Sequence, residues 1–191
     1  MLKTFTRSEM LTYWKRRLGL KASPVVAGET DLTEVDRKLL DDIDIWYDDV
    51  LLSAPVDKLP VRNVAADVIA YYVDDNSAEI AIPDECIRLV SIKMNDWDGD
   101  ETETYSVYSD IARLQRNRLT RATTYEPVVM RRPGRLVVCG LNPPVATLAG
   151  SDKPAVKHEA SLERLEMVVR PPEGTYVLDR TLLKHSQLTI H

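Results

Sequence analysis

Apolar residues recur at helical spacing in the first third of the chain, and this pattern predicts two helices. The first is expected to begin at Thr6, which has the spacing of a capping box with Glu9, and to end before Gly19. The second is expected to begin near residues 31–33 and to run to about Leu52, ahead of the next proline. Its apolar stripe comprises Val35, Leu39, Ile43, Trp46 and Val50.

After residue 65 the hydrophobic period changes from about 3.6 to about 2 residues, which is typical of strands. The expected strands are a hairpin of Asp67–Val73 and Ala78–Ile82, a strand at Ile87–Met94, a second hairpin of Tyr125–Arg131 and Arg135–Gly140, and Leu162–Arg170. Helical spacing returns in Ser109–Arg121, and we expect a further helix over residues 178–186. Residues 142–160 are rich in Pro, Ala and Gly and are expected to form a long loop.

These elements predict an α+β fold, with an N-terminal helical pair, a mostly antiparallel β-sheet or small sandwich, and a short C-terminal element. The helical part is expected to span residues 1–65, the β-rich part residues 66–175 and the C-terminal tail residues 176–191. The residues expected in the core are Trp14, Leu39, Ile43 and Trp46 between the helices, and Ile87, Leu89, Val90 and Ile92 in the β part.

The composition is ordinary for a globular protein, with 44% of the 191 residues hydrophobic and a net charge of −5. The negative net charge argues against a general nucleic-acid binder. The chain has neither an apolar run of about 18 residues nor the start of a signal peptide, so we expect no membrane span and no secretion signal. Cys86 and Cys139 lie in apolar strands and are expected to be buried free thiols in a reducing cytoplasm.

Few side chains have the spacing of a catalytic or metal-binding site. None of the three histidines has metal-ligand spacing with another His or Cys, and nucleotide-binding and nucleophile motifs are absent. Asp96, Asp98 and Asp100 lack the glycine position and the final glutamate of an EF-hand, which favours a solvated acidic turn. We predict no catalytic residue, no bound metal and no cofactor, and therefore no enzyme.

The second predicted helix offers the main alternative to this prediction. Asp41, Asp44 and Asp48 are spaced at i, i+3 and i+7 and share one helix face. With partners from another helix, such a face could hold a divalent metal, as in a metal-dependent hydrolase or nuclease. No Glu-x-x-His pattern accompanies it, so a solvated helix face is favoured.

Charge is segregated along the chain. Residues 29–49 contain nine acidic residues and two basic ones, whereas residues 113–135 contain seven arginines and one acid. The arginines could bind nucleic-acid phosphates, which makes a nucleic-acid-binding module a further alternative. Both segments could also be simply solvated, or they could meet each other.

One ordered set of residues carries a resemblance to a known family. The set is Ile82, Pro83, Asp84, Glu85, Ile87, Arg88, Leu89, Val90, Ser91, Met94, Asp96 and Trp97. It resembles the centre of head-to-tail connector proteins (adaptor or ring proteins) of tailed bacteriophages, and most closely those of crAss-like Bacteroides phages. The short helix, the loop and the long acidic helix before it are similar too, and the resemblance covers about residues 7–170.

The resemblance implies a structural virion protein, assembled in the host cytoplasm, that joins portal and capsid to the tail. It implies a homo-oligomeric ring of about twelve copies with contacts to portal protein and to other ring or tail proteins. DNA packaged through the channel of such a ring is a further partner that the arginines could meet. For the ring contact, our hypothesis is that Asp41, Asp44 and Asp48 approach Arg116, Arg118 and Arg121 of a neighbouring subunit.

Overall fold

The computed structural model describes residues 1–20, 32–143 and 158–185, which form four α-helices and eleven strands. In chain order, the strands are β1 (Leu2–Thr6), β2 (Val61–Asn63), β3 (Ala70–Tyr72), β4 (Ser77–Ala81), β5 (Cys86–Met94), β6 (Tyr105–Ser106), β7 (Val128–Arg132), β8 (Arg135–Cys139), β9 (Glu159–Ala160), β10 (Leu162–Val169) and β11 (Thr175–Asp179). The helices are α1 (Arg7–Arg17), α2 (Glu34–Ser53), α3 (Asp110–Leu114) and α4 (Arg180–His185). The predicted α+β class is confirmed.

Two compact units divide the described chain. The helical unit combines the described residues of Met1–Pro60 and Val169–His191, and the sheet unit combines those of Val61–Val168. The sequence suggested a separate tail over residues 176–191, but its described part belongs to the helical unit. The physical reason is that β11 pairs antiparallel with β1 along the whole length of both strands.

Helix α1 begins and ends as the sequence predicts. The Glu9 amide donates to Thr6 Oγ1 at 3.3 Å and the Thr6 amide donates to Glu9 Oε2 at 2.8 Å, which is a capping box. At the other end Gly19 has φ +70°, and its amide donates to the Arg16 carbonyl while the Leu20 amide donates to the Lys15 carbonyl. This pair of bonds is a Schellman motif, which requires the left-handed conformation that glycine adopts easily.

Helix α2 packs against α1 through aromatic and aliphatic side chains. Trp14 is buried and meets Trp46 edge-on, with ring centroids 5.6 Å apart. Leu39 and Ile43 are buried as well, whereas Trp46 is half-buried. The expected stripe was wrong at its first position, because Val35 is 59% exposed. The buried face also includes Leu40, Tyr47 and Leu51.

A buried ion pair joins the two helices. Lys15 on α1 and Asp36 on α2 are 5% and 4% exposed and contact each other through their charged groups. Burial acts to raise the pKa of Asp36, but hydrogen bonds from Lys15 and Thr33 outweigh it and hold that pKa below its usual value. Asp36 also completes a second capping box with Thr33.

The sheet unit contains one large and one small sheet. The strand order is β6-β7-β8-β4-β3-β9 in the six-stranded sheet and β2-β10-β5 in the three-stranded sheet. The pairings with a described register are antiparallel except β6 with β7, which agrees with the predicted mostly antiparallel arrangement. Both predicted hairpins form, β3-β4 and β7-β8, and Gly134 supplies the φ of +66° in the turn of the second.

Strand β5 contributes to the core less evenly than predicted. Ile92 is fully buried and Leu89 is 9% exposed, but Ile87 and Val90 are only half-buried. Deeply buried side chains of the two sheets come from several strands and include Ile80, Ile92, Met94, Val129, Leu136, Val138, Leu165, Met167 and Val168. Central strand β8 is apolar on both faces, since Val137 is buried beside Leu136 and Val138.

Two helix predictions were too long. The helix expected over Ser109–Arg121 ends at Leu114, because the Leu119 amide bonds to the Asn117 side chain and Thr120 Oγ1 bonds to the Leu114 carbonyl. Such side-chain bonds compete with helical ones. The helix expected over 178–186 begins only at Arg180, since the two residues before it extend β11. The expected loop 142–160 lies largely outside the described residues, and its end contains β9.

Candidate functional site

Two of the three aspartates predicted on one face of α2 have arginine partners within the helical unit. Arg7 Nη2 donates to Asp44 Oδ2 at 3.1 Å. Arg170 Nη2 donates to Asp48 Oδ1 at 2.8 Å. The third, Asp41, is exposed. Arginines therefore neutralise much of this face, which disfavours a divalent cation on the same carboxylates.

Two tyrosines connect α2 to β11. The Tyr47 hydroxyl donates to the Val177 carbonyl at 3.0 Å and accepts from the Val177 amide at 2.9 Å. Burial raises the pKa of Tyr47 to about 12. Burial, with the hydrogen bond that the Tyr176 hydroxyl donates to Asp44, also raises the pKa of Tyr176. Both phenols are neutral at physiological pH, so they stabilise the helical unit as hydrogen-bonding groups.

The acidic turn after β5 is held by contacts within the sheet unit. Asp96 Oδ2 accepts the Asn142 amide at 3.2 Å, and Asp100 forms an ion pair with Arg164. Within residues 1–20, 32–143 and 158–185, no three His, Cys, Asp or Glu side chains are arranged to hold a metal ion.

The arginines of the predicted interface follow α3 and contact the turn after β3. Arg121 Nη1 lies 2.9 Å from Asp75 Oδ1, and Arg118 Nη2 lies 3.7 Å from Asp75 Oδ2. The hydrogen bond from Arg121 holds the pKa of Asp75 below its usual value. The Arg118 side chain is 85% exposed, and Arg116 is exposed too. Arg121 is thus engaged within its unit, while Arg116 and Arg118 present charge to solvent.

Other arginines of residues 113–135 also contact protein oxygens. Arg132 and Arg135 both reach Glu79, at 3.1 and 2.9 Å. Arg131 Nη2 donates to the Ile87 carbonyl at 2.9 Å. These contacts occupy side chains that a nucleic-acid phosphate would otherwise bind.

The arginine segment borders a cavity of about 450 Å³ that was not predicted from the sequence. Buried Met130, Val137 and Cys139 form its apolar floor on the large sheet. Four arginines outnumber three carboxylates around it: Arg116, Arg118, Arg121, Arg132, Asp74, Asp75 and Glu79. The sequence feature that could have indicated a covered surface here is strand β8. Its residues are apolar on both faces, which indicates that the sheet is covered on both sides.

A second basic cavity, of about 690 Å³, lies in the helical unit. Its lining includes Phe5, Tyr13, Arg16, Arg17 and Arg180. The Arg180 guanidinium lies 5.9 Å from the centre of the Phe5 ring, and Arg17 donates to carbonyl oxygens of α4. Two of these three arginines therefore stabilise the packing of α4 and β1.

Both cysteines are free and buried, which confirms the prediction of buried free thiols. Burial, with the charge of Asp74, raises the pKa of the Cys139 thiol to about 12. Burial, with the charge of Glu85, also raises the pKa of the Cys86 thiol. Thiols with raised pKa values carry little of the reactive thiolate at neutral pH, so neither is a candidate nucleophile.

The residues that carry the family resemblance form part of the sheet framework. Pro83 begins the turn between β4 in the large sheet and β5 in the small one, and its carbonyl accepts the Cys86 amide at 2.9 Å. Ser91 Oγ donates to Glu166 Oε2 of the neighbouring strand at 3.0 Å. Trp97 is buried and its indole donates to the Gly140 carbonyl after β8 at 3.0 Å.

Comparisons with protein-family models, curated proteins and solved structures found no match to this chain. In the part of the chain that the structure describes, no helix is long and apolar enough to cross a membrane.

Proposed function

We propose that this chain is a structural virion protein, a ring subunit of the head-to-tail connector of a tailed bacteriophage. The observation that carries the proposal is the resemblance of Ile82–Trp97 to the centre of such proteins. In the fold, this segment joins the two sheets and contributes the buried Trp97. A likeness that includes the buried Leu89, Met94 and Trp97 supports a shared scaffold rather than a shared reaction.

The internal ion pairs favour a structural role over the metal-dependent alternative. Asp44 and Asp48 hold arginine side chains, and a divalent cation would have to displace them. Thermal unfolding with Mg²⁺, Mn²⁺ or Ca²⁺ tests this alternative, because a specific site raises the melting temperature by linkage. We expect no metal-dependent rise. A rise that disappears when Asp41, Asp44 and Asp48 are all changed to Asn would support a metal-dependent enzyme instead.

The nucleic-acid alternative is also weakened by internal pairing. Arg121 is engaged by Asp75, and Arg132 and Arg135 are engaged by Glu79. A ring subunit can still present the exposed arginines to DNA in its channel as a secondary contact. DNA binding by the isolated chain that weakens steeply with added salt would favour the nucleic-acid module.

The proposal has a direct test in assembly. Purified chain, alone and mixed with the portal protein encoded by the same genome, is measured by mass photometry and negative-stain electron microscopy over a range of concentrations. We expect closed rings of about twelve copies, alone or seated on the portal. Monomers under every condition, including with portal protein, would refute the proposal.

A further inference from the structure

The outward face of α2 combines an exposed apolar side chain with exposed carboxylates. Ile45 is 63% exposed, although it lies in the middle of a 20-residue helix. Asp41 and Asp49 lie one turn before and one turn after Ile45 and are exposed. Neighbours at i−4 and i+4 share one helix face, so Ile45 is an apolar centre between two negative charges.

The cavity beside α3 in the sheet unit has complementary chemistry. Its floor is apolar, and Arg116 and Arg118 are exposed at its wall. Its volume of about 450 Å³ falls within the range of about 300–1,000 Å³ that is usual for binding pockets. Arg118 contacts Asp75 only at 3.7 Å, so most of its five N–H donors are available to another carboxylate.

We propose that the outward face of α2 in one copy docks at this cavity in the next copy, and this inference rests on the proposed ring function. Ile45 would cover the apolar floor, while Asp41 and Asp49 would meet Arg116 and Arg118. Complementary charge across a contact fixes its register and suppresses wrong pairings. A second copy is the occupant that matches, because the same chain presents both patches.

This contact differs from the one suggested by the sequence alone. Asp44, Asp48 and Arg121 form ion pairs within their own units. They therefore stabilise the two surfaces, but they are not the main charges that a neighbouring copy would meet. Two different patches meet in such a contact, which makes it heterologous. Heterologous contacts close into a ring when the rotation between copies allows it.

A charge exchange between two variants tests the contact. One variant carries Arg116→Glu and Arg118→Glu, and the other carries Asp41→Lys and Asp49→Lys. Each variant alone brings like charges together, so we expect self-association at least tenfold weaker than that of the unchanged chain. Mixed in equal amounts, they restore opposite charges at every contact, so we expect assemblies in which the two variants alternate.

The mixing step separates a broken contact from a broken fold, because an unfolded variant is not rescued by its partner. Lys3→Glu with Arg16→Glu is the matched control, since it reverses two exposed cations that belong to neither proposed patch. We expect this control to assemble like the unchanged chain. Assembly is followed by sedimentation velocity, and native mass spectrometry reports the composition of the mixed particles.

Each outcome has a distinct meaning. If the unchanged chain forms rings and each variant alone still does, or if the mixture fails to assemble, the docking contact is wrong while the ring function stands. If the control variant prevents assembly as strongly as the two interface variants do, the loss is a general effect of charge reversal and the docking contact is again wrong. If the unchanged chain assembles through these patches into open filaments, the contact stands and the ring is refuted. If it never self-associates, either alone or with portal protein, both are refuted.

Discussion

Gly140 is a position at which one added methyl group should be costly. Its φ is +96°, a conformation that residues with a side chain rarely adopt. A Cβ placed there would lie 2.4 Å from the carbonyl oxygen of Thr123, which is backbone and cannot rotate away. The Gly140 amide donates to the Asn76 carbonyl at 3.0 Å, and its own carbonyl accepts from Trp97 at 3.0 Å. A shift of the backbone would therefore strain two hydrogen bonds.

The expected cost of Gly140→Ala follows from these contacts. Holding a non-glycine residue in a sparsely populated backbone conformation costs about 1–3 kcal/mol. Relieving an overpacked contact by moving the backbone costs about 1–3 kcal/mol more. We expect the free energy of unfolding of the sheet unit to fall by about 2–6 kcal/mol.

Two other glycines are matched controls. Gly134 has φ +66° and open space around its Cα, so Gly134→Ala should cost only the conformational strain, about 1–2 kcal/mol. Gly99 has open space and no positive φ, so Gly99→Ala should change stability by less than about 0.5 kcal/mol. Urea unfolding followed by tryptophan fluorescence, in a background with Trp14 and Trp46 changed to Phe, reports the sheet unit through Trp97. A cost for Gly140→Ala no larger than that for Gly134→Ala would refute the close approach of Thr123.

Three further predictions concern buried groups. Leu89→Ala should lower the free energy of unfolding in urea by about 2–4 kcal/mol, and a loss below about 0.5 kcal/mol would place Leu89 at the surface. Lys15→Met leaves Asp36 buried without its cation and should lower the free energy of unfolding by about 3–5 kcal/mol. The double variant Lys15→Met with Asp36→Leu should lower it less, and equal losses would contradict a buried ion pair. The raised pKa of Tyr47, about 12 against an ordinary value near 10, means that its contribution is complete below pH 10 and is lost as pH rises toward 12. Alkaline titration of unfolding should therefore show a shallower fall for Tyr47→Phe than for the unchanged chain, and identical slopes would contradict the assignment.

Features set by neighbours in sequence could be predicted without the structure. The capping box of Thr6 and Glu9 depends on residues three apart, and the stop at Gly19 depends on one residue's conformational freedom. The Pro-Gly turn of the second hairpin is local in the same sense. Such features need no knowledge of tertiary contacts, which is why they were correct.

Features that depend on distant parts of the chain were missed or misjudged. Val35 fits the helical stripe by spacing, but the described residues leave it 59% exposed, whereas α1 packs on the adjacent Asp36 through Lys15. The cavity beside α3 forms only when the segment after α3 meets the β3-β4 turn, and Arg121 reaches an aspartate 46 residues away. The sequence displays these charges but not their distances, so it cannot tell a paired arginine from a solvated one.

Ion pairs within each unit change how the segregation of charge along the chain affects assembly. By count, residues 29–49 and 113–135 are strongly opposed in charge, which suggests a diffuse attraction between copies. In the structure, Arg170 pairs with α2, and Asp75 and Glu79 pair with the arginine segment, so much of that charge is neutralised within each unit. Exposed charges separated by more than about 8 Å are also largely screened at physiological salt. A specific contact must therefore depend on the few exposed charges beside an apolar centre, and this is why reversing two residues on either face should be enough to prevent it.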